Sequence, residues 1–256
     1  MPARMDNPKS LHGWTVLSLR PRGQHDGLRA AASRRGARVL ALSPFAIQPL
    51  AEPDHRKALK QALAADIVIW TSPNAVRAAA ALQPLKARRG QAWLAVGSGS
   101  RLALQHAGID ARAPSRMDSE GLLAMPELQD IRGRSIGLVT APGGRGLLAP
   151  TLAKRGAKVI RADVYARQPI AFSARALTAL DAALESPQRV MMVLSSQDAL
   201  QRLLAAQTAS ALAPIAVIVA SQRLADIARQ SGFRRIAIAS SASPAALLQA
   251  AANAFV

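Results

Sequence analysis

Six short apolar runs in this 256-residue chain are each followed at once by residues suited to holding an anion. TVLSL (15–19) runs into Arg20-Pro21-Arg22, DIVIW (66–70) into Thr71-Ser72, and AWLAV (92–96) into Gly97-Ser98-Gly99-Ser100. SIGLV (135–139) runs into Thr140-Ala141-Pro142-Gly143-Gly144-Arg145, VMMVL (190–194) into Ser195-Ser196, and IAVIVA (215–220) into Ser221-Gln222-Arg223. Hydroxyls, backbone N–H groups opened by glycine, and guanidinium groups at helix N-termini bind anions without a metal. Ser and Thr are also ordinary helix N-caps. Six such ends facing one cleft would instead make an anion-binding mouth.

Other chemistries lack their residues. There is no Cys, which removes disulfides, thiolate nucleophiles and zinc-thiolate sites together. His12, His25, His55 and His106 have no ligand spacing and read as surface residues, so no metal site is expected. Gly97-Ser98-Gly99 is not a dinucleotide fingerprint, because Leu102 stands where the third Gly belongs. No Walker sequence and no Gly-x-Ser-x-Gly elbow occurs. A catalytic site built from this set would work by positioning and electrostatics, with few acid–base groups.

The elements that must place these residues follow from apolar periodicity. Besides the six runs, ARVLAL (37–42), AKVIRA (157–162) and RIAIA (235–239) read as buried strands. Amphipathic stretches such as HDGLRAAASRRG, NAVRAAAAL, SRLALQHAG, GLLAPTLAKRG and QDALQRLLAA lie between strands. Gly36, Gly108, Gly156 and Gly232 fall where such helices should stop. Alternation of this kind predicts an α/β fold of open parallel sheets covered by helices, flavodoxin-like or Rossmann-like.

One passage is written twice. RRGARVLALSPFAIQP (34–49) is echoed by KRGAKVIRADVYARQP (154–169), TSPNAV (71–76) by SSQDAL (195–200), and Arg-Leu-Ala at 101–103 by 223–225. The offsets are 120 to 124 residues, so the chain reads as two copies of one unit with four or five strands each. Each copy has a strand–helix–strand piece ending in Gln-Pro, and Gln48-Pro49 and Gln168-Pro169 are candidate crossings between two domains. Whether each piece pairs with its own body or the other is open at this level. Phe45 in the first copy stands where Tyr165, the only tyrosine, stands in the second.

Composition bounds the partners. Half the residues are hydrophobic but only 3% are aromatic, so the core is built from aliphatic side chains. A formal charge of +18 calls for polyanionic company, or reflects an Arg-rich solvated surface. Nucleic acid is a poor fit, since basic residues do not alternate with stacking aromatics. The first residues lack a signal-peptide core, and no run approaches the roughly 18 apolar residues of a membrane span. The expectation is a cytoplasmic protein without membrane or nucleic-acid partners, with residues 1–13 as a flexible leader.

In this order and spacing the chain resembles the uroporphyrinogen-III synthase family, from about Val16 to Phe255. The passages that carry it are LSLRPRGQ (17–24), DIVIWTSPNAV (66–76), LAVGSGS (94–100), DSEGLL (118–123) and PGGRGLL (142–148). RGAKVIRADVY (155–165), VLSSQDAL (193–200) and VIVASQRLADIARQSGF (217–233) complete the set. The resemblance implies residues 14–47 plus 169–256 as one domain and 49–167 as the other. It places a two-segment linker near 46–50 and 165–170, with the active cleft between the domains.

It implies a cofactor-independent lyase that closes hydroxymethylbilane, a linear tetrapyrrole with eight carboxylates, while inverting ring D; a cleft held within one chain requires no partner, so a monomer is expected. It points to Tyr165 as a cleft residue that either assists loss of the terminal hydroxyl or only positions the rings. Arg20, Thr71, Ser72, Gly97, Ser98, Ser100, Gly143, Gly144, Arg145, Ser195, Ser196, Ser221 and Arg223 are the expected substrate-binding residues. Thr140-Ala141 replaces the Arg-Gly frequent in relatives, which leaves more of the anion binding to Arg145 and Arg20. The competing reading is a non-catalytic two-domain protein that binds a small polyanion and has no need of Tyr165.

Overall fold

Buried strands and Ala-rich helices alternate as the periodicity predicts. The computed structural model describes residues 10–143 and 146–256. In the first part lie β1 (Thr15–Ser18), α1 (Asp26–Ser33), β2 (Arg38–Ala41), β3 (Phe45–Pro49), α2 (Pro53–Leu63) and β4 (Ile67–Trp70). Then come α3 (Pro73–Leu82), β5 (Ala92–Ala95), α4 (Ser98–His106), α5 (Ser119–Leu123), β6 (Ser135–Thr140), α6 (Leu148–Lys154) and β7 (Lys158–Asp163). They are followed by β8 (Tyr165–Pro169), α7 (Ala174–Leu184), β9 (Val190–Val193), α8 (Gln197–Ala206) and α9 (Ala209–Leu212). The chain ends with β10 (Ala216–Val219), α10 (Gln222–Gln230), β11 (Arg235–Ile238) and α11 (Pro244–Phe255).

These elements form two compact units, one of residues 1–46 and 168–256, the other of 47–167. The first holds a five-stranded sheet ordered β11-β10-β9-β1-β2, the second a four-stranded sheet ordered β5-β4-β6-β7. Every pairing within these two sheets is parallel, with Val16 beside Val39 and Met191, and Val68 beside Trp93 and Gly137. β1 belongs to the first repeat and β9 to the second, while β4 and β6 are matched in the opposite sense. Each strand–helix–strand piece therefore pairs with the body of the other copy. β3 and β8, the Gln-Pro segments, neighbour each other in a two-stranded sheet.

Helices cover both faces of each sheet, as parallel strands require. In the first unit, α7, α8 and α10 pack Leu180, Leu200, Leu203 and Ala228 on one face. On the other, α1 and α11 pack Leu28, Ala32, Leu248 and Ala252. In the second unit, Leu59, Val76 and Leu104 from α2, α3 and α4 surround Trp70, whose ring stacks on Trp93 at 5.3 Å. Leu122 and Leu152 from α5 and α6 close the opposite face. Gly137 in β6 permits a close approach. A Cβ there would stand 2.0 Å from the Ala62 carbonyl oxygen, so α2 lies against bare backbone.

Two readings change. The strands expected to be uniformly buried are so only at the sheet centres: β1, β4, β9 and β10. β2, β7 and β11 are edge strands that carry Arg38, Lys158 and Arg235 and are partly exposed, whereas the edge strand β5 is buried beyond Ala92. Of the 1–13 leader, residues 1–9 lie outside the described residues, but Leu11 is fully buried and its N–H donates to the Arg35 carbonyl. The core of the first unit therefore includes residues ahead of β1, where Leu11 and Trp14 join the α1 and α11 layer.

Candidate functional site

In a parallel sheet all carboxyl ends lie at one edge, so each unit gathers its strand-end residues there. In the second unit the focus is Ser72. It has extended backbone and caps α3, its Oγ accepting the Ala75 N–H at 3.1 Å. The same oxygen lies 3.0 Å from the Tyr165 hydroxyl. The phenol is 2% exposed and packed among the residues around Trp70. If the phenol donates, Ser72 Oγ accepts twice and keeps its own O–H for a third partner.

The neighbouring groups are distributed unevenly. Thr71 Oγ1 is engaged with Thr140 Oγ1 at 2.9 Å, so these two strand-end hydroxyls are joined to each other. Gly97 is the N-cap of α4, and the Ser98 N–H donates to the Met117 thioether at 3.4 Å. Ser98 is exposed, whereas Ser100 is buried in the first turn of α4. Gly143 is exposed with φ of 79°, while Gly144 and Arg145 lie outside the described residues. Arg161 donates to the Ala141 carbonyl at 2.9 Å and pairs with Asp163, holding the start of that loop.

In the first unit Ser196 caps α8 and Ser221 caps α10, each accepting a backbone N–H, while Ser195 and Arg223 are exposed. The ordinary capping role is thus realised at Ser72, Ser196 and Ser221. It uses an oxygen lone pair and not the hydroxyl proton, so capping and anion donation are compatible. Arg20 is half-buried; its Nη2 reaches the Ala242 carbonyl at 3.5 Å, and its buried Nε has no partner. Among the described residues it has no carboxylate partner, and burial pushes its pKa down from the usual arginine value. A guanidinium stays charged even so.

The repeat partners Phe45 and Tyr165 diverge in their surroundings. Phe45 is buried beneath Arg202, whose guanidinium carbon lies 5.6 Å from the ring centroid. Arg202 also donates to the Ile170 carbonyl at 3.3 Å, so one side chain holds both crossing segments to the first unit. The position equivalent to Arg202 in the other copy is Ala78.

One reading needs correction. His25 is not a surface residue: it is 3% exposed, with Nδ1 at 2.8 Å from Ser18 Oγ and Nε2 at 2.7 Å from Ser43 Oγ. Ser18 and Val16 share a side of β1, the side α1 covers, and His25 stands at the N-cap of α1. Single-sequence spacing could not find this cluster, because only the β1–β2 pairing brings Ser18 and Ser43 together. His12 and His106 are exposed and His55 is half-exposed. Among the described residues no group of three His, Asp or Glu is placed to hold a metal, and no helix is long and apolar enough to cross a membrane.

Fold and strand ends together define a two-unit parallel α/β protein with hydroxyls and arginines at its strand ends and one buried phenol beside a capping serine. Residues 26–249 match the family model described as uroporphyrinogen-III synthase HemD. The chain is 36% identical over 200 residues to the uroporphyrinogen-III synthase of Salmonella typhimurium (strain LT2), covering 72% of this chain and 78% of that protein. It is 35% identical over 137 residues to the Escherichia coli (strain K12) uroporphyrinogen-III synthase, covering 52% of this chain and 54% of that one. A crystal structure of a mutant uroporphyrinogen III synthase from Thermus thermophilus superposes with a TM-score of 0.62 at 21% identity, covering 94% and 98%. The Helicobacter pylori 26695 uroporphyrinogen-III synthetase gives 0.59 at 16% identity, covering 94% and 99%, so the fold is shared. The chain belongs to the uroporphyrinogen-III synthase family.

Proposed function

We propose that this protein converts hydroxymethylbilane to uroporphyrinogen III and water, using its own side chains and backbone N–H groups. The observation that carries the reading is the family match over residues 26–249. The chemistry at the strand ends suits the substrate: Arg20, Arg223, Ser196 and Ser221 in one unit, and Ser72 in the other, are donors of the kind that carboxylates accept from.

The barrier is one of shape as well as bonding, since the free bilane closes by itself to the uninverted isomer I. Holding the chain in the folded conformation supplies orientation that solution lacks. The terminal hydroxyl takes a proton and leaves as water, giving an azafulvene cation. The substituted carbon of ring D attacks it to form a spiro intermediate. Fragmentation and reclosure invert ring D, and the proton taken up at the start is released as the ring regains aromaticity.

Tyr165 acts here through Ser72. The phenol donates to Ser72 Oγ, and the serine O–H is left to meet the departing hydroxyl. A double-mutant cycle tests this pairing. Tyr165→Phe and Ser72→Ala are each expected to slow formation of isomer III about tenfold, and together to cost little more than either alone. Multiplying losses, or full turnover in Tyr165→Phe, would contradict the relay.

A further inference from the structure

We infer that His25 is a positioning residue for the turn at the end of β1, holding Arg20 and Arg22 where a substrate carboxylate meets them. The inference rests on the proposed reaction for the identity of the ligand. Its geometry stands alone. The imidazole is fully engaged, bridging Ser18 at the end of β1 and Ser43 just after β2. Both hydroxyls can donate or accept, so they satisfy a neutral ring with one donor and one acceptor. Burial, then the nearby Arg29 and Arg20 charges, push its pKa below the usual histidine value, against a weaker pull from Asp26. The neutral form adds no third cation beside those two arginines.

Because Ser18 and His25 are tied, the intervening segment carrying Arg20, Pro21 and Arg22 has both ends fixed. It is also pinned along its length. The Arg22 N–H donates to the Phe45 carbonyl at 2.8 Å, and the Gln24 N–H to the Pro21 carbonyl at 3.1 Å. The His25 carbonyl accepts the N–H groups of Leu28 and Arg29, joining the turn to α1. Within this frame Arg20 is the loose partner, with one long bond to Ala242 and a buried Nε that has no acceptor. A buried donor left unpaired is unfavourable, and an arriving carboxylate would relieve that. Nothing in the proposed proton relay uses His25, so its contribution is to affinity.

The test measures binding of uroporphyrin III, an octacarboxylate, together with KM and kcat for hydroxymethylbilane, in wild type, His25→Leu, His25→Gln and Ser43→Ala. His25→Leu is expected to weaken binding and raise KM about tenfold, with kcat changed less than about twofold, the signature of lost ground-state binding. His25→Gln, which retains a donor and an acceptor, should recover most of the loss. Adding Arg20→Ala to His25→Leu should cost little beyond Arg20→Ala alone. A folded His25→Leu protein with wild-type affinity and KM overturns the inference. Should His25→Leu fail to fold, Ser43→Ala decides: a several-fold rise in KM supports the role and an unchanged KM overturns it. Wild-type protein yielding only isomer I would refute the reaction, while the uroporphyrin titration would still decide the role of His25.

Discussion

At the end of β4 one oxygen, Ser72 Oγ, caps a helix and meets the sole tyrosine of the chain. The repeat carries that hydroxyl only once, and its two positions meet different partners. Phe45 meets a guanidinium with its ring face, a contact that needs no hydroxyl, while the Tyr165 hydroxyl has the Ser72 oxygen to bond. Strand-end hydroxyls are legible in the sequence because buried runs announce where strands stop. Their partners are not, since Ser72 and Tyr165 are 93 residues apart and meet only through the fold. His25 is hidden for the same reason. Its depressed pKa has a consequence for stability. The unfolded chain takes up its proton near pH 6.5, about the ordinary histidine value, and the folded one resists until lower pH. His25 therefore contributes stability that is complete above about pH 6.5 and is lost as pH falls toward the folded value. Arg20 faces the ring from the turn, Asp26 and Arg29 from α1, and the Ser18 and Ser43 hydroxyls complete its surroundings. Thermal melts between pH 7 and 5 should show a steeper acid loss for wild type than for His25→Gln; parallel curves would contradict this.

The elements that aim these residues depend on a few close approaches. α2 packs against β6 across Gly137, where any Cβ would strike the Ala62 carbonyl. Gly137→Ala should lower stability by about 1–3 kcal/mol, as overpacking does, read as a drop in melting temperature. A melting temperature equal to wild type would mean α2 can slide away freely. Arg202 is the corresponding device at the crossings, stacked on Phe45 and bonded to Ile170. Arg202→Ala should destabilise by about 1–2 kcal/mol through loss of both contacts, and Arg202→Lys should recover only part. Denaturant titration checks the order wild type, Lys, Ala. Nine strands are evident from their apolar runs, but β3 and β8 are not. FAIQP and YARQP each begin with one buried aromatic and then run half-exposed or exposed, so no apolar period marks them. The resemblance to the family, and not the periodicity, points to linker strands there.

For the molecule as a whole, the repeat is visible in the sequence while the repeat pattern alone leaves its crossing open. The echoes fit equally well whether each piece pairs with its own body or with the other. The resemblance to the family implies the crossed pairing, and strand registers such as Val16 beside Met191 show it. The result gives each unit a sheet whose carboxyl-end residues come from both halves of the chain: Arg20 with Ser196 and Ser221, and Ser72 with Tyr165. A net charge of +18 favours polyanionic ligands, and under the proposed function the salt dependence of binding should follow the carboxylate count of the ligand. The central claim concerns which isomer forms. Hydroxymethylbilane should be supplied with and without the purified full chain, and the oxidised uroporphyrins separated by chromatography. Isomer III dominating only when the protein is present is the predicted result. Isomer I alone, in the presence of folded protein, would contradict the account and leave a two-unit binder of polyanions.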